Sequence, residues 1–216
     1  KHVHTSVCAD QRRALEVSDI GNLLCETEKA SSCGSLSIEL QTTKNIFALM
    51  FLLRGIPFVD LAYLRKADIQ GNTLKYRRRK TGRLLTVMLT PDAIKLIRIV
   101  AKTKPESPYL FPFLSSPEGT EAAYHEYQSS LRMFNYRLSR LKKYMKTAAH
   151  LSSYTIRHTW ATMAYYCEIH PGIISEAMGH SSIKVTETYL KPFQNEKIDN
   201  ANSQVISYVK EYASIV

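Results

Sequence analysis

The chain has 216 residues, 29 Lys and Arg against 19 Asp and Glu for a net charge of +10, 44% hydrophobic residues and a pI near 9.4. This composition excludes disordered, collagenous and mucin-like chains, and the longest apolar run, Ile46 to Leu53, is far short of the ~18 residues a membrane span needs. The excess positive charge points to a polyanion, while Cys8, Cys25, Cys33 and Cys167 show neither metal-ligand spacing nor a paired framework, as expected of reduced thiols in a cytoplasmic protein.

In chain order, residues 1–35 read as a leading linker, loop or short helix, ending in the turn-rich Ser31–Ser35. Starting at Lys1 rather than Met, the chain reads as a fragment excised from a longer protein. Ile38, Leu40, Ile46, Leu49, Met50 and Leu53 follow largely helical spacing over 37–54. Pro57 at an N1 position opens a second helix, Phe58 to Leu64, with Phe51, Phe58 and Tyr63 as core. Leu74 and Tyr76, then Leu85, Val87 and Leu89, alternate on either side of Arg78–Gly82, which predicts a β-hairpin. Thr90-Pro91-Asp92 is a helix start with Ile94, Ile97 and Ala101 on its buried face.

The coil 104–119 is the one long loop, and it is followed by an amphipathic helix whose stripe is Tyr127, Leu131, Phe134, Leu138, Leu141 and Met145. Arg132, Arg140 and Lys143 fall off that stripe. After Ser152-Ser153 comes a helix over Tyr154–Cys167, then a short one from Pro171 to Gly179. Another spans Ile183–Tyr189 after Ser182, and a terminal one spans Ile198–Tyr212. The predicted class is α+β, mainly helical with one small antiparallel sheet, and the body spans 36–195 between the leading segment and the terminal helix of 196–216.

Charge is distributed unevenly. Residues 1–40 hold four basic and six acidic residues, whereas 75–104 hold ten basic residues and one acid, Asp92. From 127 to 167 there are seven basic residues and no acid. A solvated face interleaves both signs, so two such stretches predict an anion-binding surface, with Arg77, Arg78, Arg79, Arg83, Arg132, Arg140 and Lys143 as backbone contacts. P-loop, dinucleotide-binding and H-E-x-x-H motifs do not occur, and no carboxylate cluster lies in the basic stretches to hold two metal ions. Phosphoryl chemistry here needs cationic side chains around the phosphate and a protein nucleophile.

Ser153-Tyr154-Thr155-Ile156-Arg157-His158-Thr159-Trp160-Ala161-Thr162 is followed 22 residues after His158 by Gly179-His180-Ser181, and nine residues after His180 by Tyr189. Order, spacing and neighbours resemble the carboxyl-terminal half of the tyrosine recombinase (phage integrase) catalytic domain, which reads H-x-x-R-H-[TS]-[FW]-A-[ST], L-G-H-[SK]-S and T-x-x-Y, with Met178 in place of the usual Leu. Arg54-Gly55-Ile56-Pro57-Phe58-Val59-Asp60-Leu61 is similar to the first arginine box of integrases from Bacteroides-type mobile elements, and Lys80-Thr81-Gly82 to their hairpin lysine.

The resemblance implies a metal- and ATP-independent DNA recombinase or integrase, free of cofactors. Its partner would be double-stranded DNA at attachment sites, on which a tetramer assembles in the bacterial nucleoid, away from any membrane. It implies Tyr189 as nucleophile forming a 3′-phosphotyrosyl bond, Arg54 and Arg157 as the phosphate clamp, Lys80 protonating the leaving 5′-oxygen, and His180 bonding the phosphate or taking the nucleophile's proton. It also implies a missing amino-terminal DNA-binding domain and a terminal helix that docks on a neighbouring protomer. Independently of the name, Arg157 lies on a helix rich in Ile156, Trp160 and Met163, where a buried guanidinium without an anion is costly. His158 reads as packing behind the site.

Two departures stand out. Tyr154 occupies the first histidine's slot and is counted with the catalytic residues: its hydroxyl can donate to a phosphate oxygen, but a phenol of pKa near 10 cannot supply a cation there. Arg54 lies one helical turn, about 5.4 Å, before the usual position of the first arginine, which is Pro57 here. These departures support an alternative, a non-catalytic DNA-binding protein on the same fold. A third reading, an acidic-membrane binder, rests on 127–147, whose apolar stripe is better explained as core.

Overall fold

The computed structural model describes residues 14–25, 36–145, 147–190 and 195–213. Its centre is a helix whose second half, Ile46 to Leu52, the sequence makes apolar on every side. With α1 as Val17–Cys25, this central α2 spans Ile38–Leu52, begins at Ser37, whose hydroxyl accepts from Leu40 N (3.4 Å), and buries every residue from Thr43 to Met50. Around it pack α4 (Pro91–Val100), α5 (Glu121–Met145) and α6 (Thr155–Tyr166), while α3 (Phe58–Ala62) lies against α5. Three further helices follow α6: α7 (Pro171–Met178), α8 (Ile183–Glu187) and α9 (Asn195–Ala213).

The expected hairpin is present as β2 (Thr73–Arg77) and β3 (Leu84–Met88), with Tyr76 opposite Leu85 and Leu74 opposite Val87, all four turned into the core. A short β1 (Ile69–Gln70) adds an antiparallel edge through the Gly71-Asn72 turn, giving the order β1-β2-β3. The class is therefore α+β and mainly helical, as expected. Among the described residues, no helix is long and apolar enough to cross a membrane.

Several boundaries differ from expectation for local reasons. Pro57 is the residue before α3 rather than its first helical residue. The buried face of α4 is Ala93, Leu96, Ile97 and Val100, a full i, i+3, i+4, i+7 set, with Ile94 and Ala101 at its margin. Six residues earlier than its apolar stripe, α5 begins where Thr120 accepts from Ala123 N (3.2 Å). Two residues sooner than expected, α8 stops at Glu187, so Tyr189 sits beyond its end.

The leading segment is no mere linker over its described part. Leu15, Ile20 and Leu23 join the main core, Leu15 N donates to the buried hydroxyl of Thr159 (2.9 Å), and Thr147 donates to Asp19 (2.7 Å). By contrast α9 is almost wholly exposed, with Ile198, Val205, Tyr208 and Val209 in solvent. Thr159→Val strands the Leu15 N–H in the core and is expected to cost about 1–3 kcal/mol in urea unfolding, whereas a linker would be insensitive.

Candidate active site

Arg157 is the centre of the site. It lies in the first turn of α6 and is 2% exposed. Its Nη1 donates to Gly55 O (2.7 Å), and its Nη2 to Met178 O (2.7 Å) and to His180 Nε2 (2.8 Å). All three acceptors are neutral. Burial, then the nearby Arg78 charge, push its pKa below the usual arginine value, opposed by Tyr189 and Tyr76. Its guanidinium carbon lies 5.9 Å from the Tyr189 ring centroid.

The turn that meets Arg157 is built for close approach. After α2 the chain reverses through two successive left-handed residues, Arg54 (φ 59°) and Gly55 (φ 67°). A Cβ on Gly55 would meet the Arg157 Cα at 3.0 Å, so only glycine lets this carbonyl face the guanidinium. Arg54 is half-buried, and its Nη1 donates to Thr86 O on β3 (3.3 Å).

His180 follows the left-handed Gly179 that ends α7. Since Nε2 accepts from Arg157, the ring proton sits on Nδ1 and donates to the buried Thr186 hydroxyl (2.9 Å). Burial, then the charges of Arg157, Arg78 and Lys80, lower its pKa to about 3. His180 is thus neutral at physiological pH and acts by hydrogen bonding rather than as a cation. The ring of Tyr189 is flanked by His180 (centroids 5.0 Å) and by His158 (4.3 Å). The ring nearest the phenol is therefore one that sequence reasoning placed behind the site; its i+4 relation to Tyr154 on one helix face was the available signal.

Not all the other expected residues lie here. Tyr154, in the turn before α6, is 56% exposed, and among the described residues its hydroxyl makes no hydrogen bond. Lys80 is exposed at the hairpin tip, near enough to influence His180. The tip is anchored rather than free: Thr81 donates to Gly179 O (3.3 Å) and Arg83 to His180 O (3.0 Å).

Arg78 departs most from its expected role as a DNA contact. It is 6% exposed, pairs through Nε with the buried Asp60 (2.7 Å) and donates to Met178 O (2.6 Å). The inward alternation of Leu74 and Tyr76 simply continues to Arg78, leaving it no surface for a phosphate backbone. Arg77, Arg79, Arg83, Arg132, Arg140 and Lys143 are exposed. Of these, Arg79 pairs with Glu118 and lies 3.7 Å over the Tyr63 ring, and Arg77 donates to Gly82 O (3.1 Å). Among the described residues no group of three His, Cys, Asp or Glu side chains could hold a metal ion.

Arg78→Ala leaves a buried carboxylate unpaired and is expected to cost about 3–5 kcal/mol in urea unfolding without DNA. His180 has a folded-state pKa below its unfolded value of about 6.5, so below that pH the unfolded chain binds a proton the folded one resists. Stability is expected to fall as pH drops from about 6.5 toward 3, and His180→Gln to flatten that part of the curve in denaturant midpoints measured across pH.

A sequence model of the phage integrase family matches residues 18–196. No curated protein sequence matches the chain. Among solved structures, the XerA recombinase is similar with a TM-score of 0.62 at 15% identity, covering 93% of this chain and 66% of that one. The XerH site-specific recombinase bound to a palindromic difH substrate gives 0.59 at 16%, covering 88% and 52%. The Tn1549 transposon integrase in complex with transposon right end DNA gives 0.59 at 14%, covering 89% and 66%. The chain thus spans about half to two thirds of the length of these proteins, and at such identities the likeness is one of fold. The family match runs through the turn at Gly55, the Arg157 helix and the Gly179-His180 cap, and the chain belongs to the phage integrase, or tyrosine recombinase, family.

Proposed function

We propose that this chain is the catalytic part of a site-specific DNA recombinase that breaks and rejoins strands through a 3′-phosphotyrosyl intermediate. The observation that carries this reading is a buried guanidinium, Arg157, beside a tyrosine ring and, among the described residues, bonded to three neutral acceptors. A buried cation lacking an anionic partner is costly, and a DNA phosphate supplies that anion.

In this reaction the Tyr189 oxygen attacks the phosphorus, the bond to the 5′-oxygen breaks, and the phosphate becomes esterified to tyrosine. The phenolic proton passes to solvent water, and Lys80 gives a proton to the departing 5′-oxygen, both transfers being reversed on rejoining. Arg157 and Arg54 neutralise the charge that develops on the non-bridging oxygens, while neutral His180 orders the Arg157 fork. The free 5′-hydroxyl of another strand reverses the step, so bond energy is conserved without a nucleotide cofactor. Arg77, Arg79, Arg83, Arg132, Arg140 and Lys143 form the exposed basic surface for the duplex backbone. Tetrameric assembly on attachment-site DNA is part of the same reading, with the exposed apolar side chains of α9 offered to a neighbouring protomer.

A short duplex nicked near the scissile bond traps the covalent step. The unaltered chain is expected to form an adduct that survives a denaturing gel, Tyr189→Phe to form none, and Arg54→Ala to lose cleavage while retaining most duplex affinity. One observation favours the second reading, a DNA-binding protein with a degenerate site: Tyr154, in the histidine slot, is exposed, and among the described residues its hydroxyl makes no hydrogen bond. Duplex binding that weakens steeply with salt, with no adduct on any nicked duplex, would decide for it.

A further inference from the structure

In-line attack requires the nucleophilic oxygen to be held against the phosphate, yet Tyr189 lies two residues beyond α8, where no helix holds it. Its own helix supplies one local restraint, a bond from Tyr189 N to Thr186 O (2.9 Å). Two further restraints come from α6. Thr162, fully buried, donates its hydroxyl to Tyr189 O (3.1 Å). One turn earlier on α6, the His158 ring lies against the Tyr189 ring with centroids 4.3 Å apart and planes 31° from parallel.

We propose that His158 and Thr162 are positioning residues that seat the nucleophile, a role that rests on the recombinase reading above. The geometry of a tyrosine explains why two contacts are enough. Its Cβ, Cγ, Cζ and Oη lie on one line, so rotation about χ2 leaves the oxygen in place. The oxygen's position is then set by the Cα and by χ1. Thr162 hooks the backbone carbonyl and fixes the first; the His158 ring lies against the phenol and opposes the swing of the second. With His180 at 5.0 Å, the phenol is flanked by two rings, and its orientation is decided before a phosphate arrives.

The proposal gives His158 a part that acid–base chemistry would not. A ring lying against the phenol acts through contact area, so another flat ring of similar size should serve, whereas a proton carrier could not be replaced in that way. It also accounts for the exposed Tyr154, since the α6 imidazole beside the nucleophile comes from one turn further along.

The test uses the 216-residue chain and a degenerate pool of short duplexes carrying an enzymatically placed central nick. Single-turnover adduct formation is followed across pH, with duplex affinity and thermal melting of each variant alongside. His158→Ala is expected to lower the adduct rate about tenfold to a hundredfold while duplex affinity stays within about twofold, as for a nucleophile displaced by roughly 1 Å. His158→Phe should recover the rate to within about threefold of the unaltered chain, with the same pH–rate profile. Thr162→Val, which removes a hydroxyl at nearly constant volume, gives an independent reading if His158→Ala melts early, and it too should slow adduct formation.

An unaltered rate in a folded His158→Ala overturns the positioning role. So does a His158→Phe chain as slow as His158→Ala with a flattened pH profile, because His158 would then move protons. Failure of the unaltered chain to form any adduct while binding duplex overturns the recombinase reading and the seat together. Adduct formation by the unaltered chain with insensitive variants overturns the seat alone.

Discussion

The Arg157 guanidinium ties together three turns that are far apart along the chain. Gly55 lies 102 residues before it, and Met178 and His180 lie 21 and 23 after it. Each contributes one neutral acceptor to a cation that is almost fully out of water. Because a desolvated charge is far more costly when a partner is lost, the arrangement couples the α2–α3 reversal, α6 and the α7–α8 turn as one unit. The left-handed Arg54-Gly55 pair and the left-handed Gly179 are the backbone cost of bringing those carbonyls into range.

A second buried pair holds the basic hairpin to that unit. Asp60 of α3 takes the Arg78 guanidinium and the Arg79 N–H (2.9 Å), and Arg78 reaches the same Met178 carbonyl that Arg157 uses. Thr81 and Arg83 add bonds to Gly179 and His180. A Cβ on Gly179 would approach Arg78 Cγ to 2.9 Å, so the hairpin lies directly on the cap that carries His180. The acid of the first arginine box therefore has an architectural task, aiming the loop that bears Lys80. The same concentration of positive charge keeps His180 neutral. Thus burial and the basic residues gathered around the hairpin together set the protonation state of the histidine beside them.

Much of this was legible in the chain itself. Helical spacing in 38–53, the Thr90-Pro91-Asp92 start and the strand alternation of 74–76 and 85–89 correspond to α2, α4 and the hairpin. The strand β1 escaped notice because two residues carry no periodicity, although Gly71-Asn72 marked its turn. The role of Arg78 was hidden by its neighbours: four consecutive basic residues look alike unless the alternation of Leu74 and Tyr76 is carried forward. Its partner Asp60, 18 positions away on another element, leaves no trace in local pattern. The packing of Leu15 and Leu23 was equally invisible, since a short apolar pair before a turn-rich segment has no register of its own.

By itself, the sequence determined the family, the class of fold, the concentration of basic residues in two stretches and the order of the candidate residues. These depend on spacing and composition, which are properties of the chain in one dimension. Only the tertiary structure decided which of those residues meet. It took Arg78 into the core, left Tyr154 in solvent, made His180 a neutral ring and set His158 against Tyr189. Each of these outcomes turns on desolvation or on contact between segments remote in sequence, and neither can be computed from spacing alone.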